Sequence, residues 1–396
     1  MYDAVIDEVR GREIRIGDRW LADFASCNYL GFDLDPEIIA AMDAAVRRWG
    51  THPGWSRLLG SPRLYPEIEE RLTELLGAPD TLVLPTVTLI HMSVIPVLAG
   101  RGTLFLDANA HKTIYDGCRH ARGLGATVLR FRTGDVEHLA ELMGTAAAAP
   151  RPWLVCMDGM NSMTGNLPDL PGFAALCRSR GALLYVDDAH GFGVLGERRP
   201  DESSPYGSRG NSAVRHCDER YDDIVLVGGF SKAYSAMLAF IAVPTVVKNH
   251  LKVAAPPYLY SGPSPVASLA GVLAGFDVND SRGEALRARL YRHSATVHSR
   301  VRALGIHTPS RAGTPVVELP LAPGRDLVPV AEHLWRRGVY VTLAAYPLVP
   351  RGQVGIRVQL TAVHTDEQID RLGDTLAELA AEGAFRPIEP PASPSR

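Results

Sequence analysis

The sequence predicts an α/β protein that combines a mostly parallel large-domain sheet with a smaller C-terminal α+β domain. The chain has 396 residues, 46% of them hydrophobic, and this length exceeds the ~250–300 residues at which single cores stop growing. Between residues 81 and 243, short apolar runs alternate with helical patterns. Strands that are apolar throughout and separated by helices are typical of a parallel sheet covered on both faces. Beyond about residue 265 the alternation changes, which indicates the second domain.

The N-terminal part of the chain contains short elements around one long loop. Residues 4–24 are predicted to form short strands and a hairpin. The spacing of apolar residues predicts helices over 37–49 and 66–76, and Gly77 ends the second. The Gly- and Pro-rich loop at 50–62 is longer than a plain connection between helices needs, which indicates a binding role.

The middle of the chain contains the predicted parallel sheet. Its buried strands are predicted at 81–84, 103–106, 127–131, 152–157, 182–186, 223–227 and 238–243. Helices between them are predicted near 88–99, 113–122, 135–145 and 170–180. The polar stretch 197–223 interrupts this pattern, and we predict an extended loop there. Structureless loops of that length are usually functional lids or disordered segments.

The C-terminal part predicts a mixed arrangement of helices and strands. A long helix is predicted over 283–304. Strands are predicted near 314–319, 338–342 and 354–360. A final helix begins at Thr365, and Gln368 completes a capping box there.

These patterns predict four segments. They are an N-terminal segment at 1–50, a large domain at 51–265, a small domain at 266–385 and a tail at 386–396. The tail is rich in proline, which predicts disorder.

Composition excludes several classes of protein. A formal net charge of -3 disfavours a nucleic-acid-binding role, which usually needs a strong basic bias. The five cysteines form no CxxC pair, which favours a reducing, cytoplasmic compartment. The N-terminus is polar and charged and does not look like a signal peptide. The most apolar window, 81–100, contains Pro85 and Pro96, so we expect a buried strand and helix there and a soluble protein without a membrane partner.

Chemically active side chains follow two of the predicted strands. Asp187, Asp188 and His190 come after one apolar run, and Lys232 follows another. Because ligands bind at the carboxyl ends of parallel strands, these side chains are expected at one edge of the sheet. A lysine in apolar surroundings favours the neutral amine that forms a Schiff base, although a surface lysine on a turn is the alternative. In pyridoxal 5'-phosphate (PLP) chemistry an aspartate keeps the pyridine nitrogen protonated and a lysine holds the aldehyde, so this pair of residues fits that cofactor.

Two other kinds of site could occupy the same strand end. The glycines of 191–196 match a dinucleotide fingerprint, but Asp187, Asp188 and His190 precede them and no helix opens there. With the distant His111 these three side chains could instead ligate a metal, a weak signal because no further cluster supports it. The structural alternative is that His190 is a buried histidine with its hydrogen bonds satisfied and that Asp187 caps a loop.

Seven motifs occur in order along nearly the whole chain. They are Asn28-Tyr29-Leu30-Gly31, Gly54-Trp55-Ser56-Arg57, Asp107-Ala108-Asn109-Ala110-His111, Ser162-Met163-Thr164-Gly165, Asp187-Asp188-Ala189-His190, Gly229-Phe230-Ser231-Lys232-Ala233, and Ile356-Arg357-Val358-Gln359 with Ala362-Val363-His364-Thr365. Together they resemble the motifs of the α-oxoamine synthases, the family of 8-amino-7-oxononanoate synthase and 2-amino-3-ketobutyrate CoA ligase. This family belongs to the fold-type-I PLP enzymes, so the resemblance implies that fold, with the cofactor bound by the large domain.

The resemblance implies roles for the residues of each motif. Lys232 would form the Schiff base, Asp187 would pair with the pyridinium nitrogen, and His111 would stack on the ring. His190 would hydrogen-bond the phenolic oxygen of the cofactor or the reacting carbonyl. Arg357 would hold the carboxylate of an amino-acid substrate, with Asn28, Ser56 and Ser162 also implied around cofactor and substrate.

The chain departs from the family around the cofactor phosphate. Gly229 stands where the family has a phosphate-binding threonine, and Thr86-Val87-Thr88 replaces a Ser-Gly-aromatic sequence. The phosphate is therefore assigned to Thr86, Val87, Thr88 and Ser231, with Ser261 from a partner chain. After the lysine, Tyr234, Ser235, Ala236 and Met237 replace the usual glycines, which suggests a specialised biosynthetic substrate.

The implied reaction is a decarboxylative Claisen-type condensation. An amino acid would react with an acyl thioester of coenzyme A or an acyl carrier protein to give an α-aminoketone. The alternatives are an aminotransferase, retro-aldol or lyase reaction on the same fold, or a non-catalytic homologue. The family's site lies between two subunits, so the resemblance implies a homodimer.

Overall fold

The computed structural model describes residues 3–199, 204–346 and 349–388. The strands are β1 (Glu8–Arg10), β2 (Glu13–Ile16), β3 (Arg19–Phe24), β4 (Thr81–Leu84), β5 (Thr103–Asp107), β6 (Thr127–Phe131), β7 (Trp153–Asp158), β8 (Leu183–Asp187), β9 (Ile224–Gly229), β10 (Ala239–Ala242), β11 (Val316–Pro320), β12 (Val339–Ala344) and β13 (Gly355–Gln359). The helices are α1 (Pro36–Trp49), α2 (Leu64–Leu76), α3 (Val87–Ala99), α4 (Lys112–Gly123), α5 (Val136–Thr145), α6 (Leu170–Arg180), α7 (Ala213–His216), α8 (Thr245–Ala254), α9 (Pro256–Leu259), α10 (Val266–Ala303), α11 (Leu327–Arg336) and α12 (Asp366–Ala381).

The chain forms two compact units. The large unit comprises residues 31–162 and 167–284, and the small unit comprises the rest. These limits differ from the predicted divisions after residues 50 and 265. One reason is that β3 pairs with β12, which brings the N-terminal strands into the small unit. The other is that α10 begins in the large unit, where Gly271 packs against α1.

The large unit contains a seven-stranded sheet in the order β4-β10-β9-β8-β7-β5-β6. Only β10 is antiparallel to its neighbours; the other paired strands are parallel. The predicted mostly parallel sheet is confirmed. Apolar side chains of α3 and α4, such as Ile90, Val94 and Ile114, are buried against the strands. The inner strands are apolar along almost their whole length because helices cover them, whereas the edge strand β6 carries the exposed Arg130.

The described residues of the stretch 197–223 form the predicted loop between β8 and β9, and α7 is their only regular element. From residue 204 onward the stretch contains several buried side chains. Asn211 is fully buried, and its Oδ1 accepts a hydrogen bond from Glu197 N at 2.9 Å. Ala213 N donates to Asp188 Oδ2 at 2.8 Å. The polar composition therefore supplies internal hydrogen bonds that fix the segment.

The small unit contains a six-stranded sheet in the order β1-β2-β3-β12-β13-β11. The predicted start of the last helix is confirmed, since Thr365 and Gln368 form the capping box of α12. By contrast, α10 begins well before the predicted residue 283. Its glycines obscured the helical pattern, although at Gly275 a β-carbon would lie 2.8 Å from the ring of Tyr234, so a small residue is required there.

The predicted disordered tail falls mostly outside the described residues, from 389 onward. The first part is ordered: Arg386 N donates to Pro320 O at 3.0 Å, and Pro387 forms a bridge with Ile306. In the ranges that the structure describes, no helix is long and apolar enough to cross a membrane.

Candidate active site

A cavity of about 270 Å³ opens in the large unit where β7, β8 and β9 end and α3 and α4 begin. Nine residues predicted from the sequence line it together: Thr86, Val87, Thr88, His111, Ser162, Asp187, His190, Ser231 and Lys232. Ser56 and Ser261 belong to the same unit but do not line this cavity. Asn28 and Arg357 belong to the small unit.

Asp187 is the last residue of β8 and is only 6% exposed. Its Oδ1 accepts a hydrogen bond from Ala189 N at 2.9 Å, and its Oδ2 lies 2.8 Å from His91 Nε2. Burial opposes ionisation, but the adjacent His91 and the ammonium of Lys232 outweigh it and lower the pKa of Asp187 to about 2. The cavity therefore contains a carboxylate that stays ionised at neutral pH.

His91 is a site residue that the sequence interpretation missed. It lies on α3, is fully buried, and its Nδ1 is 2.8 Å from the hydroxyl of Tyr185. The available signal was a single histidine inside an otherwise apolar helix. That signal does not identify Asp187 as the partner, because the two residues are 96 positions apart.

Asp158 was also missed, although it ends an apolar run just as Asp187 does. It lies beside Asp187 in the register of β7 and β8 and lines the cavity. Its Oδ1 accepts a hydrogen bond from His111 N at 3.1 Å. Burial and the negative charge of Asp187 raise the pKa of Asp158 well above its usual value. Asp158 therefore positions the start of α4 and His111, the N-cap of that helix.

The second aspartate of the motif has a different environment. Asp188 is fully buried, does not line the cavity, and accepts a hydrogen bond from Ala213 N. Burial and the charge of Asp187 raise the pKa of Asp188 to about 7. Its contacts make it a structural link between the end of β8 and α7.

Lys232 lies in a closed turn between β9 and β10. It is half-buried, and Ser235 N donates to its carbonyl oxygen at 3.0 Å. Phe230 closes the turn through backbone hydrogen bonds with Ala236 and Leu238. The turn rests on an aromatic cluster in which the rings of Phe230 and Tyr234 are 5.4 Å apart. The amine thus extends from a rigid support into the cavity.

The N-terminus of α3 forms one end of the cavity. Thr86 caps the helix, its Oγ1 accepting a hydrogen bond from Leu89 N at 3.2 Å. Thr88 and Ser231 place further hydroxyl groups there. Free backbone N–H groups and the helix dipole at such an end attract anions. These donors suit a phosphate group.

The remaining predicted residues have their own local environments. Arg357 lies on β13, with its Nη1 3.8 Å from Met163 Sδ. Asn28 N donates to Ser26 Oγ at 3.2 Å. Next to Ser56, Arg57 is buried and pairs with Glu69 at 3.0 Å, which anchors the loop at 50–62.

The fold and the cavity together define an α/β enzyme whose site lies at the carboxyl edge of a parallel sheet. Within the three described ranges, no group of three or more His, Cys, Asp or Glu residues is arranged to hold a metal ion. Residues 21–376 match the family model described as aminotransferase class I and II. The chain belongs to this family.

Similar proteins carry more specific names. An 8-amino-7-oxononanoate synthase of Chromohalobacter salexigens is 35% identical over 367 residues, which cover 91% of this chain and 90% of that protein. A serine palmitoyltransferase of Caulobacter vibrioides is 33% identical over 365 residues, covering 91% and 86%. A solved serine palmitoyltransferase from S. paucimobilis with a bound PLP–myriocin aldimine has a TM-score of 0.84 at 25% identity, covering 96% and 92%. These relatives confirm the resemblance to α-oxoamine synthases.

Proposed function

We propose that the protein is a PLP-dependent acyltransferase of the α-oxoamine synthase type. It condenses an amino acid with an acyl thioester and releases carbon dioxide, a thiol and an α-aminoketone. The observation that carries this proposal is one cavity that contains both Lys232 and an Asp187 kept ionised by its neighbours. Relatives named 8-amino-7-oxononanoate synthase and serine palmitoyltransferase support it.

The residues of the cavity fit PLP. When bound, PLP supplies an aldehyde and a protonated ring that delocalises negative charge. The amine of Lys232 would hold the aldehyde carbon, and the carboxylate of Asp187 would keep the ring nitrogen protonated. Ser162, His111 and His190 would contact the ring and its substituents. The N-terminus of α3 with Thr86, Val87 and Thr88 would hold the phosphate, together with Ser231 and the Ser261 of a second copy.

The chain's own residues account for the proton transfers and for orientation. Arg357 would bind the substrate carboxylate through its planar guanidinium, which suits a bidentate contact. The amine of Lys232 would take the α-proton of the amino acid. His190 would donate a hydrogen bond to the thioester carbonyl oxygen as the carbon–carbon bond forms and the thiol leaves. The carboxyl group of the amino acid then leaves as carbon dioxide.

We also propose that the protein is a cytoplasmic homodimer. The large unit exposes apolar side chains that a second copy would cover, among them Trp55, Leu58, Leu59 and Tyr260. Light scattering on the purified holoenzyme should give twice the chain mass of 42.9 kDa. An active species with the mass of one chain would contradict the dimer.

The reaction is tested with the purified holoenzyme. A panel of amino acids is combined with acyl thioesters of coenzyme A and of an acyl carrier protein, and thiol and carbon dioxide are measured together. We expect both products in equal amounts from one pairing, and neither from the Lys232→Ala variant. Transfer of the amino group to a keto acid without thiol release would overturn the proposal and favour an aminotransferase.

A further inference from the structure

The two nitrogens of the His91 ring contact two residues of the same strand. Nε2 lies 2.8 Å from Asp187 Oδ2, and Nδ1 lies 2.8 Å from the Tyr185 hydroxyl. Tyr185 and Asp187 are two residues apart on β8, so their side chains leave the same face of the sheet. His91 and Tyr185 are fully buried. The three groups form a chain from the sheet interior to the edge of the cavity.

The direction of the hydrogen bonds follows from their chemistry. An ionised carboxylate only accepts, so Nε2 of His91 must carry the proton that it shares with Asp187. Burial raises the pKa of Tyr185 well above its usual value, so that hydroxyl keeps its proton. That hydroxyl and Nδ1 of His91 share the second hydrogen bond, at 2.8 Å.

We propose that His91 is a positioning residue that keeps Asp187 ionised and fixes the orientation of its carboxylate toward the cofactor ring. This inference rests on the proposed function. Oδ1 accepts from Ala189 N and Oδ2 accepts from His91, so both oxygens are fixed from behind. Each oxygen retains a second lone-pair site for the ring nitrogen.

Other charged and titratable groups also act on Asp187. Lys232 favours its ionised form, and the neighbouring Asp158 on β7 couples to it with the opposite sign. Cys118 and Cys156 lie behind Tyr185 and act on that hydroxyl. His91 is the group that contributes most to stabilising the carboxylate. Without the N–H group of His91, burial favours the protonated form of Asp187. The proton would then lie on this carboxyl group and not on the ring nitrogen of the cofactor.

The test compares three variants of the full chain by PLP binding and by pH titration of the visible absorbance of the bound cofactor. His91→Leu removes the donor, whereas His91→Gln retains an N–H group at a similar distance from the backbone. Tyr185→Phe leaves His91 in place and removes only its support. We expect His91→Leu to weaken PLP binding about ten-fold or more and to displace the absorbance titration. His91→Gln and Tyr185→Phe should stay closer to the wild type.

Thermal melting of each apoprotein shows which variants are folded. If His91→Leu fails to fold, the smaller His91→Ala, which also lacks the donor, takes its place, and wild-type PLP affinity and titration in that variant overturn the inference. A folded His91→Leu with wild-type PLP affinity and titration also overturns it. A wild type that binds PLP but releases no thiol with any substrate pair would overturn the proposed reaction while leaving the role of His91 supported.

Discussion

At the scale of single residues, the glycine at position 229 is explained by its neighbour on α3. A β-carbon on Gly229 would lie 3.0 Å from Val87 Cγ2, which is closer than side chains normally approach. In the related family a threonine is expected at 229 and a glycine at 87. Gly229 and Val87, 142 positions apart in the sequence, therefore share the space at this end of the cavity. Glycine at position 229 is therefore a residue that fits beside Val87.

This pairing predicts a coupled response to mutation. We expect Gly229→Thr to lower the free energy of unfolding of the apoprotein by about 1–3 kcal/mol, because the added side chain overpacks against Val87. It should also weaken PLP binding, since Val87 lines the cavity. Urea denaturation of Gly229→Thr, Val87→Ala and the double variant measures the coupling.

The double variant is the control for this prediction. Val87→Ala removes the methyl group that Gly229→Thr would meet, so the double variant should be more stable than the sum of the single effects by about 1 kcal/mol or more. Strictly additive losses would show that the two positions are independent.

At the scale of elements, the turn after β9 contains a strained residue. Ser235 has a φ of 53°, in the left-handed region that glycine adopts more readily. Its N–H bonds the carbonyl of Lys232, and its Oγ makes a longer contact of 3.4 Å with the same oxygen. The turn that carries the lysine thus depends on a backbone conformation that its sequence does not favour.

We therefore expect Ser235→Gly to raise the free energy of unfolding by about 0.5–1 kcal/mol, because the relief of strain exceeds the added entropy of the unfolded chain. Ser235→Ala keeps the strain and loses the Oγ contact, so it should be less stable than the wild type. Thermal melts of the three proteins rank them. A wild type more stable than Ser235→Gly would argue against strain at this turn.

The strands of the large unit could be predicted within about two residues because each is an apolar run bounded by polar or turn residues. The order of those strands could not, since hydrogen bonding between strands leaves no local pattern. The hydrogen bonds that hold the loop at 197–223 could not be predicted, because they join groups far apart in the sequence, as the Ala213 N–H and the Asp188 carboxylate are. His91 was missed for the same reason, whereas Asp158 ends an apolar run and could have been identified from it. Asp187 and Lys232 were singled out because Asp187 ends a buried strand and Lys232 follows the end of another by three residues.

At the scale of the whole molecule, buried acids and histidines give stability opposite dependences on pH. Folding raises the pKa of Asp188 from 3.8 to about 7. Asp188 therefore stabilises the folded state fully below pH 3.8, and this stabilisation is lost as pH rises through 7. Folding lowers the pKa of Asp187 from 3.8 to about 2. Asp187 therefore stabilises the folded state above pH 3.8, and this stabilisation is lost as pH falls toward 2. His364, buried in the small unit, has a pKa lowered from 6.5 to about 3, so its contribution is lost as pH falls through that range.

Because Asp188 and His364 change stability in opposite directions between about pH 4 and 6.5, the profile of the wild type alone hides both. The Asp188→Asn variant isolates the acid. The difference in unfolding free energy, wild type minus variant, should fall by about 1.4 kcal/mol per pH unit between about pH 5 and 7 and level off above. Urea titrations at constant ionic strength measure this slope, and the exposed Asp222→Asn substitution controls for loss of a surface charge. A difference that is flat or rises with pH would contradict a protonated Asp188 in the folded protein, and with it the account of how the ionised Asp187 and its buried neighbour coexist at the end of β8.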